Sequence, residues 1–444
     1  MKVTVLGAGL AGCEAAWQLA RRGIDVELWE MKPKRYQSVH QNPGFAELVC
    51  SNSLRSSSLE NAVGILKEEM RRLDSLTMRA ADATAIPAGG ALAVDRDHFS
   101  AYITDFIRSQ GNITLVNDEA AAIPEGPCIV ATGPLTDGAM ADAIAALSGG
   151  DQLNFFDAVA PIVLRETVDM GSAFELSRWG LGNDYINCPL TEEQYDAFWL
   201  ALTTARGAVL HEHDRDPKVF EGCMPAEVMA RRGRDTLRFG PMKPIGLTDP
   251  RTGRRPFAVV QLRREDAQGI RYNLVGFQTQ LAWPEQKRVF SMIPALEHAE
   301  FVRYGVMHRN TYLNAPNLLD RDFRFRGRAD LYFAGQITGV EGYVESAASG
   351  LTAGIALARA LMGQPGVDFT ARTAIGSLGY YIAQGNEQGR PFAPMNANFG
   401  IMEPLEMKVK GGGRARHQAL AARALAKIDE IRSSIDEQEA THGF

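Results

Sequence analysis

The stretch 2-KVTVLGAGLAGCEAAWQLARRGIDVELWE-30 decides how the rest of the chain is read. The run Lys2–Leu6 predicts a strand, and the alanine-rich segment after the glycines predicts a helix. That helix stops at Gly23, a residue suited to the left-handed position past a helix end. A second strand, Ile24–Trp29, runs into Glu30. Between strand and helix, Gly7-Ala8-Gly9-Leu10-Ala11-Gly12 has the spacing G-x-G-x-x-G. Gly7 permits the tight turn, Gly9 lets a pyrophosphate approach the backbone, and Gly12 lets helix and strand pack closely. The helix N-terminus offers unpaired N–H groups and a positive dipole to that phosphate. Glu30 lies 18 residues past Gly12, where an acid bonds a ribose hydroxyl. Strand, loop, helix, strand and acid in register define a dinucleotide site on Gly7, Ala8, Gly9, Leu10, Ala11, Gly12 and Glu30. Cys13, on the same helix, reads as a small packing residue.

Two later segments choose between dinucleotides. The stretch 128-CIVATGP-134 is a short apolar strand ending in Ala-Thr-Gly. The stretch 330-DLYFAGQITGVEGYVESAASGLTAGIALARAL-361 is a strand, a Gly-Gln turn, a glycine-bearing loop and a helix of small residues. This order resembles the glutathione-reductase-like FAD proteins, whose last helix points its N-terminus at the flavin end of FAD. The resemblance implies an α/β fold: a Rossmann FAD-binding domain with an inserted α+β substrate domain. It places Thr132, Gly133, Gly335 and Gln336 beside the cofactor. Many of those proteins carry Gly-Asp where this chain has Gly335-Gln336. No second G-x-G-x-x-G stands between a strand and a helix, so NADH or NADPH would reach the flavin without a Rossmann domain of its own.

The 444 residues are 45% hydrophobic and 23% charged, ordinary globular usage. The N-terminus shows no signal pattern and no apolar run approaches a membrane span, so a soluble, cytoplasmic protein with no membrane partner is expected. The five cysteines, at 13, 50, 128, 188 and 223, are odd in number and far apart. Neither a disulfide framework nor a zinc site is indicated, and no metal is expected. A net charge of −6 argues against a general nucleic-acid binder. Between Arg231 and Arg264, however, ten basic residues face only Asp235 and Asp249, and phosphate binding follows local potential.

Along the chain, a polar loop containing Cys50 follows Glu30. A helix comes next, with Ser57 and Glu60 spaced as a capping box and an apolar stripe of Leu59, Val63, Leu66, Met70 and Leu73. Another helix spans Asp97–Ser109, and strands Ile113–Val116 and Ile129–Ala131 complete the section. From about residue 150 the pattern changes to short strands, such as Ala158–Leu164 and Ala258–Leu262, mixed with helices such as Glu192–Thr203. The expected division is a first FAD-binding part over 1–150, an inserted substrate domain over 151–325, and a second FAD-binding part over 326–444 ending in a charged helix, His417–Asp436.

Two cysteines stand in polar turns. Cys50 lies in 45-FAELVCSNSLRSSSLENA-62, and Cys223 in 219-VFEGCMPAEVMARRGRDTLRFGPMKPIGL-247, just before a helix that spans Glu227–Arg232. A helix start and nearby arginines favour a thiolate. Cys128 and Cys188 adjoin apolar strands or proline turns and read as packing.

With GAGLAGCEAAWQLA and LYFAGQITGVEGYVESAASGL, these two cysteine segments resemble the folate- and FAD-dependent tRNA (uracil-5-)-methyltransferases, the TrmFO family. The resembling segments span nearly the whole chain. The resemblance implies formation of 5-methyluridine at position 54 in the T loop of tRNA. Carbon would come from 5,10-methylenetetrahydrofolate and electrons from NADH or NADPH through FAD. It also implies that Cys50 and Cys223 are the reactive pair. The chemistry suits two thiols, because uracil C5 becomes nucleophilic once a thiolate adds at C6, and a base must then take the C5 proton. Cys223, in the arginine-rich segment, is favoured as nucleophile, and Cys50, in the FAD domain, as base or partner; their order stays open.

Smaller expectations attach to other residues. Tyr343 would stack on flavin or folate, with a packed loop aromatic as the plain alternative. His308 would face the pterin or orient a substrate, with a structural histidine as the alternative. Arg231, Arg232, Arg234 and Arg238 would hold tRNA phosphates, although helical spacing keeps them off one common face. The rival readings are a flavoprotein of the sister MnmG family, which modifies the tRNA wobble uridine; a small-molecule flavin oxidoreductase; and a non-enzymatic FAD- or RNA-binding protein.

Overall fold

The computed structural model describes residues 2–37, 39–150, 152–208, 224–385, 391–407 and 409–441. The opening stretch folds as its spacing predicts: strand Lys2–Leu6, helix Leu10–Ala20, strand Asp25–Trp29. A five-stranded parallel sheet is built on them, in the order Leu331–Phe333, Cys128–Val130, Lys2–Leu6, Asp25–Trp29, Ile113–Val116. The first strand is paired on one side by the strand that follows it and on the other by one more than a hundred residues later. The loop Gly7–Gly12 therefore opens at a topological switch point, where parallel sheets bind ligands.

The small-residue helix, Tyr343–Leu361, lies against the loop helix. Its small residues permit this: a Cβ on Gly350 would fall 2.1 Å from the Ala11 carbonyl oxygen, and one on Gly354 would fall 2.9 Å from that of Ala15. Side chains there would push the helices apart, moving both N-termini away from the same end of the sheet.

A second body is antiparallel and lies between residues 162 and 303. Its six strands run in the order Phe174–Glu175, Tyr185–Leu190, Ala258–Arg264, Arg271–Leu274, Ile162–Leu164, Phe301–Arg303. It has its own core, in which Phe198, Phe277 and Phe290 meet edge to face. A ribbon of Gln152–Ala158 paired antiparallel with Met307–Leu313 leads into and out of it.

Three local readings need correction. Ala158–Leu164 is two strands: Ala158 ends the ribbon and Ile162 starts the six-stranded sheet. Pro161 between them has no N–H to continue a ladder. The helix after the Cys50 loop begins at Ala62 behind Asn61, not at a Ser57–Glu60 capping box. Ser58 Oγ takes the Glu60 N–H instead, at 3.2 Å, and Leu59 is left 41% exposed. The charged C-terminal helix is longer than its apolar spacing suggests, spanning Gly412–Thr441.

Candidate active site

The loop Gly7–Gly12 is closed on its inner side and open on its outer one. Gly7 has φ +96°, and a Cβ there would lie 2.5 Å from the Ala131 carbonyl oxygen. A Cβ on Gly12 would lie 1.7 Å from the Gly7 carbonyl oxygen. At Gly9 nothing stands within 4 Å, and the helix it starts has no side-chain cap. Glu30 is buried at the end of its strand. Its carboxylate accepts the Ala8 N–H at 2.9 Å and the Lys32 N–H at 3.0 Å. Across the sheet, Gly133 has φ +82° with open space above it, and Gly342, at the uncapped start of the helix Tyr343–Leu361, has φ +112°. Gly7, Ala8, Gly9, Leu10, Ala11, Glu30, Thr132, Gly133, Gly335 and Gln336 all line one cavity of about 300 Å³. Two uncapped helix starts, an open glycine face and a strand-end acid fit FAD, which would lie along this cavity.

Cys50 stands in the wall of the same cavity. Its N–H donates to the Tyr343 hydroxyl oxygen at 2.6 Å, and the Ser51 N–H donates to the same oxygen at 3.2 Å. Its Sγ lies 3.8 Å from the Ala158 carbonyl oxygen. Tyr343 is the first residue of the helix Tyr343–Leu361, so its oxygen joins the Cys50 turn to the helix that faces the cavity. Burial above all, and next the adjacent Cys50, hold the Tyr343 hydroxyl far above its ordinary pKa, with Arg96 pulling the other way.

The turn is gripped by Arg96, at the start of the helix Arg96–Arg108, and from the antiparallel body as well. Buried Arg96 donates to the Leu48 carbonyl at 2.5 Å and to that of Val49 at 3.4 Å, and forms an ion pair with buried Glu265. Glu265 also accepts the Asn273 amide. Arg263 donates to Ser51 Oγ at 2.7 Å and to Asn52 Oδ1 at 3.2 Å. Asn52 in turn donates to the Arg264 carbonyl at 2.8 Å and to that of Val94 at 2.9 Å. Residues 48–52 are thus held between the parallel-sheet body and one hairpin of the other. Arg96 and Glu265 carried no motif in the sequence; Asn52 lies in the Cys50 segment without a role read for it, and Arg263 was counted only in the basic block.

Three arginines of that basic block form ion pairs. Arg234 bonds Asp196 at 2.6 Å and Glu192 at 2.8 Å, carboxylates contributed by the helix Glu192–Thr204. Arg238 pairs with Asp235 at 2.8 Å and lies 3.7 Å over the Phe257 ring. Arg251 pairs with Asp249 at 2.7 Å. Arg231 and Arg232 are exposed, and Arg231 donates to the Thr203 carbonyl at 3.2 Å. The four arginines named as phosphate ligands therefore do not form one unopposed cationic face.

Cys223 lies outside the described residues. Past it the chain enters a helix at Ala226, whose N–H donates to the Gln278 carbonyl at 2.8 Å. His308 is in the ribbon strand, in register with Asp157, and its side chain lies outside the description. Cys13, Cys128 and Cys188 are buried. Burial pushes the Cys128 and Cys188 thiols up to about 12 and raises Cys13 as well, in keeping with packing. Among the described residues no cluster of three or more His, Cys, Asp or Glu is placed to hold a metal, and no helix is long and apolar enough to cross a membrane.

Comparison with known proteins defines the class first. Residues 2–365 match the family described as "Glucose inhibited division protein A". The crystal structure of Aquifex aeolicus GidA superposes with a TM-score of 0.66 at 15% identity, over 97% of this chain and 74% of that one. The fold is thus the FAD-binding fold of that class. Sequence relatives are closer. A protein of Heliobacterium modesticaldum is 58% identical over 97% of this chain and 98% of its own. One of Acetivibrio thermocellus is 56% identical over 96% and 98%, and one of Bacillus subtilis 54% identical over 98% and 99%. All three are named "Methylenetetrahydrofolate--tRNA-(uracil-5-)-methyltransferase TrmFO". This chain belongs to the TrmFO family.

Proposed function

We propose that this protein is a methylenetetrahydrofolate--tRNA-(uracil-5-)-methyltransferase, which places the folate one-carbon unit on C5 of a uridine in tRNA. The names of relatives 54–58% identical over nearly the full chain support the reaction. One observation ties it to this site: a cysteine in the wall of the dinucleotide cavity, its backbone fixed by Tyr343. The target uridine is that of the T loop, position 54, and the reductant is NADH or NADPH. A cytoplasmic location goes with both.

FAD, when bound along Gly7–Gly12, Glu30, Thr132–Gly133 and Gly335–Gln336, supplies the two-electron redox chemistry that turns a methylene into a methyl group. The residues of the chain do the rest. Cys223 adds as thiolate to uracil C6, which raises electron density at C5. Cys50 takes the proton that C5 loses once the new carbon–carbon bond has formed, and the C6–sulfur bond then breaks. Tyr343 and the Arg96–Glu265 pair keep the Cys50 turn in place for that transfer. Tyr343 also offers its ring as a stacking surface in the cavity.

Exchanging Cys50 for alanine tests this reading. The variant should purify with FAD and make no 5-methyluridine in tRNA. Wild-type levels of product from Cys50→Ala would remove Cys50 from the chemistry.

A further inference from the structure

An aromatic stack stands on the surface of the antiparallel body. Trp283 opens the helix Trp283–Phe290 and is 60% exposed. Its indole lies over the Tyr304 ring, with 5.9 Å between centroids and 18° between planes. Phe301 continues the stack, 5.8 Å and 10° from Tyr304. Lys287, one helical turn from Trp283 and on the same face, lines a recess of about 530 Å³ with Pro284, Arg288, Trp283 and Tyr304. Among the described residues, the carboxylate paired there is Glu285, 2.6 Å from Arg288 and 3.9 Å from Arg206. Lys287, Arg288 and Arg206 thus set three cations against it.

Hydrogen bonds link the chain beside the recess to the proposed active site. Arg303, next to Tyr304, donates to the carbonyl of Val39, a residue of the cavity wall, at 3.3 Å. Val159 donates to the Val306 carbonyl at 2.9 Å, one residue past Ala158, whose carbonyl faces Cys50 Sγ. Buried Gln286 fixes the Trp283 helix to this turn, accepting the Gly305 N–H at 2.7 Å and donating to the Gly305 carbonyl at 2.8 Å. The segment leading into Trp283 also bonds the described chain on both sides of Cys223. Ala208 donates to the Gln280 carbonyl at 2.7 Å, and Ala226 to that of Gln278 at 2.8 Å.

We propose that Trp283 and Tyr304 are a stacking platform for an unpaired base of the tRNA next to the reacting uridine, with Lys287 and Arg288 on its flanking phosphates. The inference rests on the methylation reading above. An enzyme that acts on a base must take it out of its stack, and the neighbour that loses its partner gains one on a rigid exposed indole. The cation excess among the described residues of the recess suits phosphates rather than a second copy of a chain whose net charge is −6.

The test is tRNA affinity, measured by filter binding over a range of salt with full-length, FAD-loaded protein, alongside the solution mass. A stacked base is worth about 1–3 kcal/mol, so Trp283→Ala should weaken tRNA roughly 5- to 150-fold, and Trp283→Phe should regain most of that. Lys287→Ala should flatten the slope of log affinity against log salt by about one. Should Trp283→Ala purify without FAD, the Lys287→Ala slope decides alone. Wild-type affinity in Trp283→Ala, or an unchanged slope in Lys287→Ala, would overturn the platform. So would a concentration-dependent mass that Trp283→Ala abolishes while tRNA affinity stays the same. A yellow wild-type protein that binds no tRNA would bring down the methylation reading, and the platform with it.

Discussion

The Tyr343 hydroxyl oxygen accepts the backbone N–H of Cys50 at 2.6 Å, across 293 residues of sequence. One atom therefore couples the start of the helix Tyr343–Leu361 to the turn that carries the cavity cysteine. Removing that oxygen leaves the N–H groups of Cys50 and Ser51 without their acceptor. Each such loss costs about 1–3 kcal/mol. Tyr343→Phe, which keeps the ring, should hold FAD and lower the rate of tRNA methylation by on the order of ten-fold, since 1.4 kcal/mol is a factor of ten. Steady-state rates and the flavin absorbance of the same preparation check it.

Gly9 and Gly12 separate cofactor binding from folding. Gly9 faces open space in an extended conformation, so alanine there meets no protein atom. Gly9→Ala should unfold within about 0.5 kcal/mol of wild type and purify with little FAD. Gly12→Ala drives a methyl group into the Gly7 carbonyl and should lose both FAD and stability. Urea midpoints and flavin content measured together distinguish the two.

The Arg96–Glu265 pair is buried on both sides. Arg96→Met leaves a carboxylate without its cation, which costs about 3–5 kcal/mol when a buried pair is broken. Replacing both residues with methionine should recover much of that loss, because no unpaired charge remains. Chemical denaturation of the two variants beside wild type gives the comparison. A double variant no more stable than Arg96→Met would contradict it.

Lys67 gives a pH signature. Its buried ammonium donates to the carbonyls of Leu54, at 2.8 Å, and Ser56, at 2.6 Å, and burial lowers its pKa to about 7. The folded value lies below the unfolded one, so between about 7 and the ordinary lysine range the unfolded chain binds more protons. Stability from this group therefore rises with pH across that window. The stability of wild type relative to Lys67→Met should move in favour of wild type between pH 6 and pH 9, a change read from paired melts.

What the sequence made legible was local. Strand, loop, helix, second strand and acid follow one another directly between Lys2 and Glu30, and there the observed strand and helix ends differ from the expected ones by a few residues at most. The expectation for Ala158–Leu164 failed because one proline divides an apolar run between two sheets. The expectation of a capping box failed because Ser58, not Ser57, meets the incoming chain. Within the arginine block the pairing of Arg234 is nonlocal: Glu192 and Asp196, about forty positions earlier, bond it. Arg96 and Glu265 are 169 positions apart, and no spacing rule joins them. Cys50 was visible as a thiol in a polar turn; its contact with Tyr343 required the fold.

The central claim is that folate carbon reaches uracil C5. The direct measurement supplies a tRNA transcript, NADH or NADPH and methylenetetrahydrofolate labelled in its one-carbon unit, with labelled S-adenosylmethionine in a parallel reaction. The tRNA is then digested and its nucleosides analysed. Labelled 5-methyluridine at position 54 from the folate reaction alone is the predicted result. Label entering from S-adenosylmethionine, or labelled carbon found only at the wobble uridine, would contradict the account.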